Sequence, residues 1–284
     1  MITVHDLAEL RERSKQLRGQ GRLAFVPTMG NLHDGHLALV SEAQQHADAV
    51  AVSIFVNPMQ FGANEDLDKY PRTLPADQAA LREAGADLLF APDVATMYPK
   101  PLADQTRVEV PYLGDLYCGA ARPGHFVGVA TVVCKLFNMV QPDLAVFGKK
   151  DFQQLMVIRR MVEDLAMPIE IRGLDTVREP DGLAMSSRNQ YLTEDERRIA
   201  PLLYAELQWL AQRLEQGERD IEALQTATGK RLNAGGFETD YVAIVDASTL
   251  QALTGDSTQA VVLAAARLGA ARLIDNIEIT LNPS

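Results

Sequence analysis

The sequence feature that most constrains the fold is a short apolar run followed by a glycine-bearing turn and a helical pattern. Residues 23–26 are predicted to form a buried strand, and residues 37–43 place apolar side chains at helical spacing. Between them lies the segment Pro27-Thr28-Met29-Gly30-Asn31-Leu32-His33-Asp34-Gly35-His36. Such a turn points backbone N–H groups and the positive end of the helix dipole at one place, which suits a phosphate. The two histidines add side-chain donors there.

The alternation of strand and helix continues along most of the chain. Further strands are predicted over residues 49–56, 87–91, 144–147 and 169–171, and helices over residues 5–18, 37–47, 76–84, 127–140 and 152–165. Near-continuous apolar strands are typical of a parallel sheet covered on both faces. The predicted fold class is therefore α/β, with a Rossmann-like, doubly wound, mainly parallel sheet.

The pattern changes near residue 176. The segment Thr193-Glu194-Asp195-Glu196 is a capping box and predicts the start of one long helix that ends at Leu214. A second helix is predicted over residues 218–233, and strands over 241–245, 260–265 and 273–277. We therefore expect a larger domain over residues 1–175 that carries any functional site, and a smaller α+β domain over residues 176–284 that covers it.

Composition excludes several classes of protein. The net charge of −11 is spread along the 284 residues, which argues against a nucleic-acid partner. Cys118 and Cys134 form neither a metal-binding spacing nor a disulfide framework, which favours a reduced, cytoplasmic setting. No signal peptide is evident at the N-terminus, and the longest apolar run, residues 260–266, is too short for a membrane span. We expect a soluble protein with no membrane partner.

Polar segments follow four of the predicted strands. In an open parallel sheet, ligands bind beyond the carboxyl ends of the strands, so these segments share one edge. They contain Met29, His33 and His36; Asn57, Met59 and Gln60; residues 148–154; and Val177 with residues 185–188. Each segment alone is also explained as a helix cap, a strand terminator, a charged turn or a loop, but their common edge favours a binding site. The chain has no P-loop motif and no Gly-x-Gly-x-x-Gly after the first strand, which weakens those two nucleotide-binding interpretations.

These motifs resemble those of the pantoate–β-alanine ligases, or pantothenate synthetases, of the HIGH-type nucleotidyltransferase superfamily. The resemblance covers essentially the whole chain. Besides residues 27–36, with His-x-Gly-His at His33 to His36, it rests on Phe55-Val56-Asn57-Pro58-Met59-Gln60-Phe61, Arg122-Pro123-Gly124-His125-Phe126, Lys150-Asp151-Phe152-Gln153-Gln154 and Ser186-Ser187-Arg188-Asn189. One departure is Lys149, where the family has Glu, and it adds positive charge beside the expected phosphates.

The resemblance implies a ligase that joins pantoate to β-alanine in two steps. ATP first activates pantoate as pantoyl adenylate with release of pyrophosphate, and β-alanine then displaces AMP. The implied catalytic residues are His36, at the family's proton-donor position, with His33, Lys150 and Arg188. The implied ATP-binding residues are Met29, Gly30, Asn31, Leu32, His33, Asp34, Gly35, His36, Gly148, Lys149, Lys150, Asp151, Val177, Met185, Ser186, Ser187 and Arg188.

The acyl side of the implied site is nearly uncharged. Gln60, Gln154, Asn57 and Met29 are expected to bind pantoate, and Gln60 also matches a position shared with β-alanine. Arg122 and His125 lie in a Gly/Pro-rich segment that is a possible lid. The resemblance further implies a homodimer and Mg²⁺ held mainly by the ATP phosphates, with no metal site of the protein's own. Asp151 is left between a ribose and a metal contact.

Three alternatives stay open at this point. Another HIGH-type nucleotidyltransferase would act on a phosphate acceptor and should carry a basic acceptor pocket, whereas Gln60, Gln154 and Met29 are uncharged. A tRNA synthetase would need an anticodon-binding module and a basic face. A non-catalytic ATP-binding protein would bind the nucleotide without turnover.

Overall fold

The computed structural model describes residues 1–62, 65 and 67–281. The chain divides into two compact units. The N-terminal unit comprises residues 1–149 and 153–175, and the C-terminal unit comprises residues 150–152 and 176–284. Each unit has its own sheet.

The N-terminal unit alternates strands and helices. Its strands are β1 (Ile2–Val4), β2 (Leu23–Thr28), β3 (Ala49–Ile54), β4 (Leu88–Phe90), β5 (Leu144–Gly148) and β6 (Glu170–Leu174). Its helices are α1 (Leu7–Arg18), α2 (Asp34–Gln44), α3 (Leu74–Glu83), α4 (Val94–Met97), α5 (Cys118–Ala121), α6 (His125–Val140) and α7 (Phe152–Asp164).

All neighbouring strands of this sheet run parallel. Within the described residues the order is β1-β4-β3-β2-β5-β6. From β2 the chain builds outward through β3 and β4 on one side, and it then returns to place β5 and β6 on the other. The topological switch point therefore lies between β2 and β5, where α/β sheets bind ligands. The predicted Rossmann-like, parallel fold is confirmed.

The core of this unit explains why its central strands are apolar on both faces. Residues 23–26 of β2 and 49–53 of β3 are buried, because helices cover both sides of the sheet. Phe137 of α6 packs edge-to-face against Phe25 and Phe147, with ring centroids 6.4 and 6.3 Å apart. Such aromatic pairs stabilise the packing of α6 against the sheet.

The C-terminal unit packs helices on an antiparallel meander. It contains α8 (Glu194–Ile199), α9 (Leu202–Glu215), α10 (Ile221–Ala234), β7 (Glu238–Asp246), β8 (Gln259–Leu268) and β9 (Ala271–Thr280). The strands pair in the order β7-β8-β9. Leucines of α9, including Leu207, Leu210 and Leu214, belong to the same buried cluster as Val262 and Ile279 of the sheet. The α+β class predicted for this region is confirmed.

One helix prediction in this unit is wrong. The capping box is present, since Glu196 N donates to Thr193 Oγ1 at 3.3 Å and Thr193 N donates to Glu196 Oε2 at 2.8 Å. The helix that it opens, however, ends at Ile199, and a new helix starts at Leu202. Pro201 causes the break, because it has no N–H and its ring clashes with the carbonyl four residues earlier.

Candidate active site

The turn after β2 is closed by its own histidines. His33 is the N-cap of α2 and its Nδ1 accepts a hydrogen bond from Gly35 N at 3.2 Å. His36 Nδ1 accepts one from His33 N at 3.3 Å, and the two rings lie 4.1 Å apart. An accepting Nδ1 carries no proton, so these bonds assign the ring proton of both histidines to Nε2. The sequence thus forms a helix start with two Nε2–H donors at the positive end of the helix dipole.

A buried carboxylate holds the preceding part of the turn, and the sequence analysis missed it. Asp77 of α3 is only 3% exposed and accepts hydrogen bonds from Asn31 N at 3.0 Å and Leu32 N at 2.9 Å. Thr73 Oγ1 also donates to Asp77 at 3.1 Å. Gly30 has a φ of +82°, a left-handed conformation that favours glycine. Asp77 therefore holds the Gly30–Leu32 backbone that leads into the two histidines.

The second predicted segment, after β3, forms a single 3-10 turn over Pro58–Gln60. Asn57 Nδ2 donates to Gln60 Oε1 at 3.0 Å and to Gly128 O at 3.1 Å. Gln60 Nε2 in turn lies 3.3 Å from Met29 Sδ. Gln60 is 9% exposed and Asn57 only 1% exposed. The structure thus brings together three of the residues expected on the acyl side, and Asn57 contacts Gln60 from within the protein.

Gly128 of α6 allows this 3-10 turn to approach the helix. A Cβ at position 128 would lie 2.4 Å from Met59 O and 2.6 Å from Gln60 Cα, which is closer than any side chain tolerates. The position of Gln60 therefore depends on a glycine that lies far away in sequence. The sequence around Gly128 does not predict this contact, because a glycine within an apolar helix carries no local signal of what packs against it.

Arg122 and His125 connect to the same turn. Arg122 forms a bidentate ion pair with Glu65, in which Nε donates to Oε1 at 2.6 Å and Nη2 to Oε2 at 2.5 Å. Its Nη1 lies 3.0 Å from His125 Nε2. His125 Nδ1 lies 2.9 Å from the Gln60 carbonyl oxygen. Burial acts to raise the pKa of Glu65, but the bonds to Arg122 outweigh it, so the pKa lies below its ordinary value. Glu65 therefore stays ionised and holds Arg122.

Gln153 and Gln154, in the segment after β5, lie in different environments. Gln153 is buried and uses its whole amide on one loop, donating to Leu113 O and Leu116 O at 2.7 Å and accepting from Cys118 N at 3.1 Å. Gln154, the expected pantoate-binding residue, is half-buried. Gly148 faces open space, because a Cβ there would contact nothing within 4 Å.

Lys149, which was expected to add positive charge at the end of β5, has a carboxylate partner. Its Nζ forms an ion pair with Asp175 Oδ1 at 2.8 Å. The negative carboxylate partly offsets the positive charge of Lys149, because the Asp175 side chain is itself exposed to solvent.

The remaining predicted site residues belong to the C-terminal unit. Lys150 Nζ lies 3.1 Å from Asp151 Oδ2, and Asn276 Nδ2 of β9 donates to Lys150 O at 2.9 Å. Met185 N donates to Val177 O at 3.0 Å, and Ser186 Oγ accepts from Arg188 N at 3.2 Å. These contacts give the loop that contains Val177, Met185, Ser186, Ser187 and Arg188 a defined backbone.

A second ion pair supports this loop and was also missed. Arg178 donates to both carboxylate oxygens of Asp275, at 2.6 and 2.9 Å, and Asp275 is almost fully buried. The guanidinium carbon of Arg178 lies 3.4 Å from the centre of the Tyr204 ring. Arg178 is adjacent to Val177, so its anchoring fixes where the Val177 backbone lies.

Neither a protein metal site nor a membrane span is found in the part of the chain that the structure describes. No group of three or more His, Cys, Asp or Glu residues there is arranged to hold a metal ion. No helix among the described residues is long and apolar enough to cross a membrane.

The fold and the site together define a class of protein. A doubly wound parallel sheet, with a helix start capped by two histidines beside its switch point, defines a Rossmann-like α/β protein. A model of the pantoate-beta-alanine ligase family matches residues 2–278. The chain belongs to the pantoate–β-alanine ligase family, and it is therefore an enzyme, a ligase of pantothenate synthesis.

Relatives and solved structures match the chain over its full length. A pantothenate synthetase of Pseudomonas fluorescens (strain Pf0-1) is 58% identical over 283 residues, which cover 99% of both chains. The crystal structure of the Thermus thermophilus enzyme is 51% identical, with a TM-score of 0.92 over 99% of this chain and 100% of that one. The pantoate-beta-alanine ligase of Francisella tularensis, complexed with beta-gamma ATP and beta-alanine, is 33% identical, with a TM-score of 0.83 over the whole of both chains.

Proposed function

We propose that this chain condenses pantoate with β-alanine at the expense of ATP, by way of pantoyl adenylate. A pantoate carboxylate oxygen attacks the α-phosphorus of ATP, and the bond to the bridging oxygen breaks to release pyrophosphate. The β-alanine amine then attacks the acyl carbon, loses a proton and displaces AMP. The observation that carries the proposal is the pair of Nε2–H donors of His33 and His36 at the start of α2. The Francisella relative, which carries ATP and β-alanine, supports it.

The phosphates are the part of ATP that this turn is built to receive. His33 and His36 would donate to phosphate oxygens, His36 at the α-phosphate, where charge develops as the adenylate forms. Fixed donors at such a place lower the barrier because they need no reorganisation during the reaction. We assign Lys150, Arg188, Ser186 and Ser187 to the β- and γ-phosphates, and Gly148, Val177 and Met185 to the nucleoside.

Two residues of the proposed ATP site already have partners in the turn. The N–H groups of Asn31 and Leu32 donate to Asp77, so we propose that these residues shape the turn. Met29, Gly30, Asp34 and Gly35 complete the segment around the phosphates. Lys149 would contribute less charge than its type indicates, because it pairs with Asp175.

The acyl side needs hydrogen bonds without added charge. Gln60, supported by Asn57, and Gln154 would bind the oxygens of pantoate, and Met29 would cover its methyl groups. An amide suits this task because it both donates and accepts. Arg122 and His125 keep their predicted role as part of a lid, and the C-terminal unit its predicted role as a cover.

Mg²⁺ is proposed to travel with the ATP phosphates. When bound, Mg²⁺ would neutralise charge that develops on the phosphates. Asp151 lies beside Lys150 and is the carboxylate we assign to the ribose or the metal. A homodimer and a cytoplasmic location also stay predictions.

One assay tests the proposal. The purified protein should exchange labelled pyrophosphate into ATP only when pantoate is present, and adding β-alanine should then release AMP and pantothenate. Pantoate-independent exchange, or release of ADP and phosphate, would contradict the adenylate route. Binding of ATP with neither reaction would indicate a non-catalytic protein.

A further inference from the structure

A chain of hydrogen bonds runs through the interior from Tyr98 to the expected acyl-binding residues. Tyr98 Oη donates to Asn57 Oδ1 at 2.8 Å, Asn57 Nδ2 donates to Gln60 Oε1 at 3.0 Å, and Gln60 Nε2 reaches Met29 Sδ at 3.3 Å. Tyr98 follows α4 and is 4% exposed, so its hydroxyl faces the protein interior. Tyr98 lies 41 residues from Asn57, so no local sequence pattern predicts this contact.

The partners of Asn57 allow one orientation of its amide. Its oxygen accepts from the Tyr98 hydroxyl and from Met59 N at 3.2 Å, and its nitrogen donates to Gly128 O at 3.1 Å. A backbone N–H only donates and a carbonyl only accepts, so turning the amide over would leave both of these groups facing a like partner. Burial raises the pKa of Tyr98, so its hydroxyl keeps the proton that it donates.

The orientation of Asn57 determines that of Gln60. Because Asn57 presents N–H to Gln60, Gln60 must turn its oxygen towards Asn57 and its nitrogen away. The nitrogen lies against Met29 Sδ, and a thioether sulfur is a weak acceptor. An N–H held against so weak a partner loses little when a substrate oxygen takes the place of the sulfur.

We propose that Tyr98 is a positioning residue that acts through Asn57 to make Gln60 present N–H, and not C=O, to the acyl substrate. Gln60 thereby recognises an oxygen acceptor, the carboxylate or a hydroxyl oxygen of a hydroxy acid. A carbonyl turned to the same place would repel a carboxylate. The inference rests on the proposed function, in which Gln60 contacts pantoate.

We call the chain of hydrogen bonds from Tyr98 through Asn57 to Gln60 the relay. Two variants weaken it by different amounts. Tyr98→Phe removes one donor to Asn57 but leaves Met59 N and Gly128 O in place, so we expect the KM for pantoate to rise about threefold to tenfold, the size of one neutral hydrogen bond. Asn57→Asp removes the N–H that Gln60 Oε1 accepts and turns the Gln60 amide over, so the KM for pantoate should rise about 100-fold. In both variants the KM for ATP should stay within about twofold, since the phosphate-binding turn is not altered.

Thr131→Val is the matched control for loss of a buried hydroxyl. Thr131 lies on α6 and is buried, and its Oγ1 accepts from Val108 N at 2.9 Å, outside the relay. This variant should lose thermal stability without a change in the KM for pantoate. A rise in its KM equal to that of Tyr98→Phe would show that loss of any buried hydroxyl here weakens pantoate binding, and the proposal would be overturned.

A double-mutant cycle tests whether Tyr98 acts through Gln60. In the Gln60→Ala background there is no amide to orient, so adding Tyr98→Phe should change the KM for pantoate by less than about twofold. If Tyr98→Phe has its full effect there, or no effect in the wild-type background, the proposal fails while pantoate-dependent pyrophosphate exchange by the wild type still stands. Absence of that exchange in the wild type would instead refute the proposed function.

Discussion

At the scale of single residues, the most consequential feature is the mutual capping of His33 and His36. Each Nδ1 is occupied by a backbone N–H, so each ring carries its proton on Nε2. A doubly protonated ring would have to give up its backbone bond and would face its neighbour at 4.1 Å. The turn therefore presents two fixed Nε2–H donors at the start of α2.

His36→Ala removes one such donor and one side of the capping box. We expect pantoate-dependent pyrophosphate exchange to fall by roughly 10²–10³, the usual loss for one preorganised donor. His46→Ala is the control, because His46 follows the end of the same helix and pairs with Glu42 at 3.1 Å, away from the turn. Near-normal exchange by the His36 variant would remove that residue from the chemistry.

Asp77→Asn tests the carboxylate that holds the turn. The side-chain amide of asparagine has one oxygen and one NH2 group, so its NH2 would face the N–H of Asn31 or of Leu32. One buried donor then loses its acceptor, at a cost of about 1–3 kcal/mol in the free energy of unfolding. The KM for ATP should rise with little change in the KM for pantoate. Thr73→Val is the control, since it removes one bond to Asp77 and leaves both backbone bonds intact. If the two variants affect ATP equally, the backbone bonds are not what matters.

At the scale of elements, the contact of α6 with the 3-10 turn at Pro58–Gln60 determines where the side-chain amides of Asn57 and Gln60 lie. Gly128 is the point of closest approach, and its carbonyl also accepts from Asn57. One helix residue thus determines both the distance of the turn from α6 and the orientation of Asn57. The turn cannot shift away from α6 without moving Asn57, which is almost fully buried.

Gly128→Ala should therefore displace the turn. A Cβ at 2.4 Å from Met59 O forces the backbone apart, with an expected loss of about 1–3 kcal/mol in the free energy of unfolding and a raised KM for pantoate. Gly229→Ala in α10 is the control, because the nearest atom to its Cβ would be Thr239 Cγ2 at 3.9 Å. That change should stabilise the protein by about 0.5–1 kcal/mol in chemical denaturation. Equal effects of the two changes would contradict the close approach.

A turn after β7 makes the stability of the C-terminal unit sensitive to acid. Asp246 accepts hydrogen bonds from Ser248 Oγ at 2.6 Å, Ser248 N at 2.9 Å and Thr249 N at 3.1 Å. The hydrogen bond from the Ser248 side chain, together with the other hydrogen bonds that Asp246 accepts, lowers the pKa of Asp246 to about 2. Its contribution to stability is present above the unfolded pKa of 3.8 and is lost as the pH falls from there towards 2.

Asp246→Asn should lower the free energy of unfolding at neutral pH, and this free energy should then fall less than that of the wild type between pH 4 and pH 2. Urea denaturation at a series of pH values measures both effects. Asp256→Asn is the control, as Asp256 is exposed in the same connection between β7 and β8. If the stability of the Asp246 variant still falls by the wild-type amount over this range, other carboxylates cause the acid sensitivity.

At the scale of the whole molecule, the sequence predicts the strands of the parallel sheet well, apart from the edge strand β1. Strands β2, β3 and β5 are predictable because burial on both faces makes them continuously apolar. Strand β1 was missed because three residues, with Thr3 in the middle, are too short for a periodic signal. Pro201 could have been read as a helix break, since the rule is local. The sequence singled out His33, His36, Asn57 and Gln60 because each lies in a segment that comes after a predicted strand.

The residues that the sequence did not reveal share a physical property. Asp77, Tyr98, Gly128 and Arg178 act on chain segments far from them in sequence, and nothing in their own neighbours records that contact. An Asp in the first turn of a helix ordinarily indicates a solvated helix start, and a Tyr after a short helix indicates core packing. Only the folded arrangement gives them partners.

The predicted homodimer is a property of the whole molecule and is open to a direct measurement. Light scattering at micromolar concentration should give twice the chain mass of 31.1 kDa. A mass equal to one chain that stays constant on a tenfold increase in concentration would contradict the prediction.

The position of β1 has a consequence for how the protein is made. Strand β1 lies at an edge of the sheet and pairs with β4, in the register Thr3 to Leu89, and His5 Nδ1 reaches Ala91 O at 2.6 Å. Because β4 is synthesised more than eighty residues after β1, β1 must stay unpaired for that length of synthesis. This edge of the sheet therefore closes late, and substitutions in β1 should act on the yield of folded protein more than on the chemistry at the far ends of the strands.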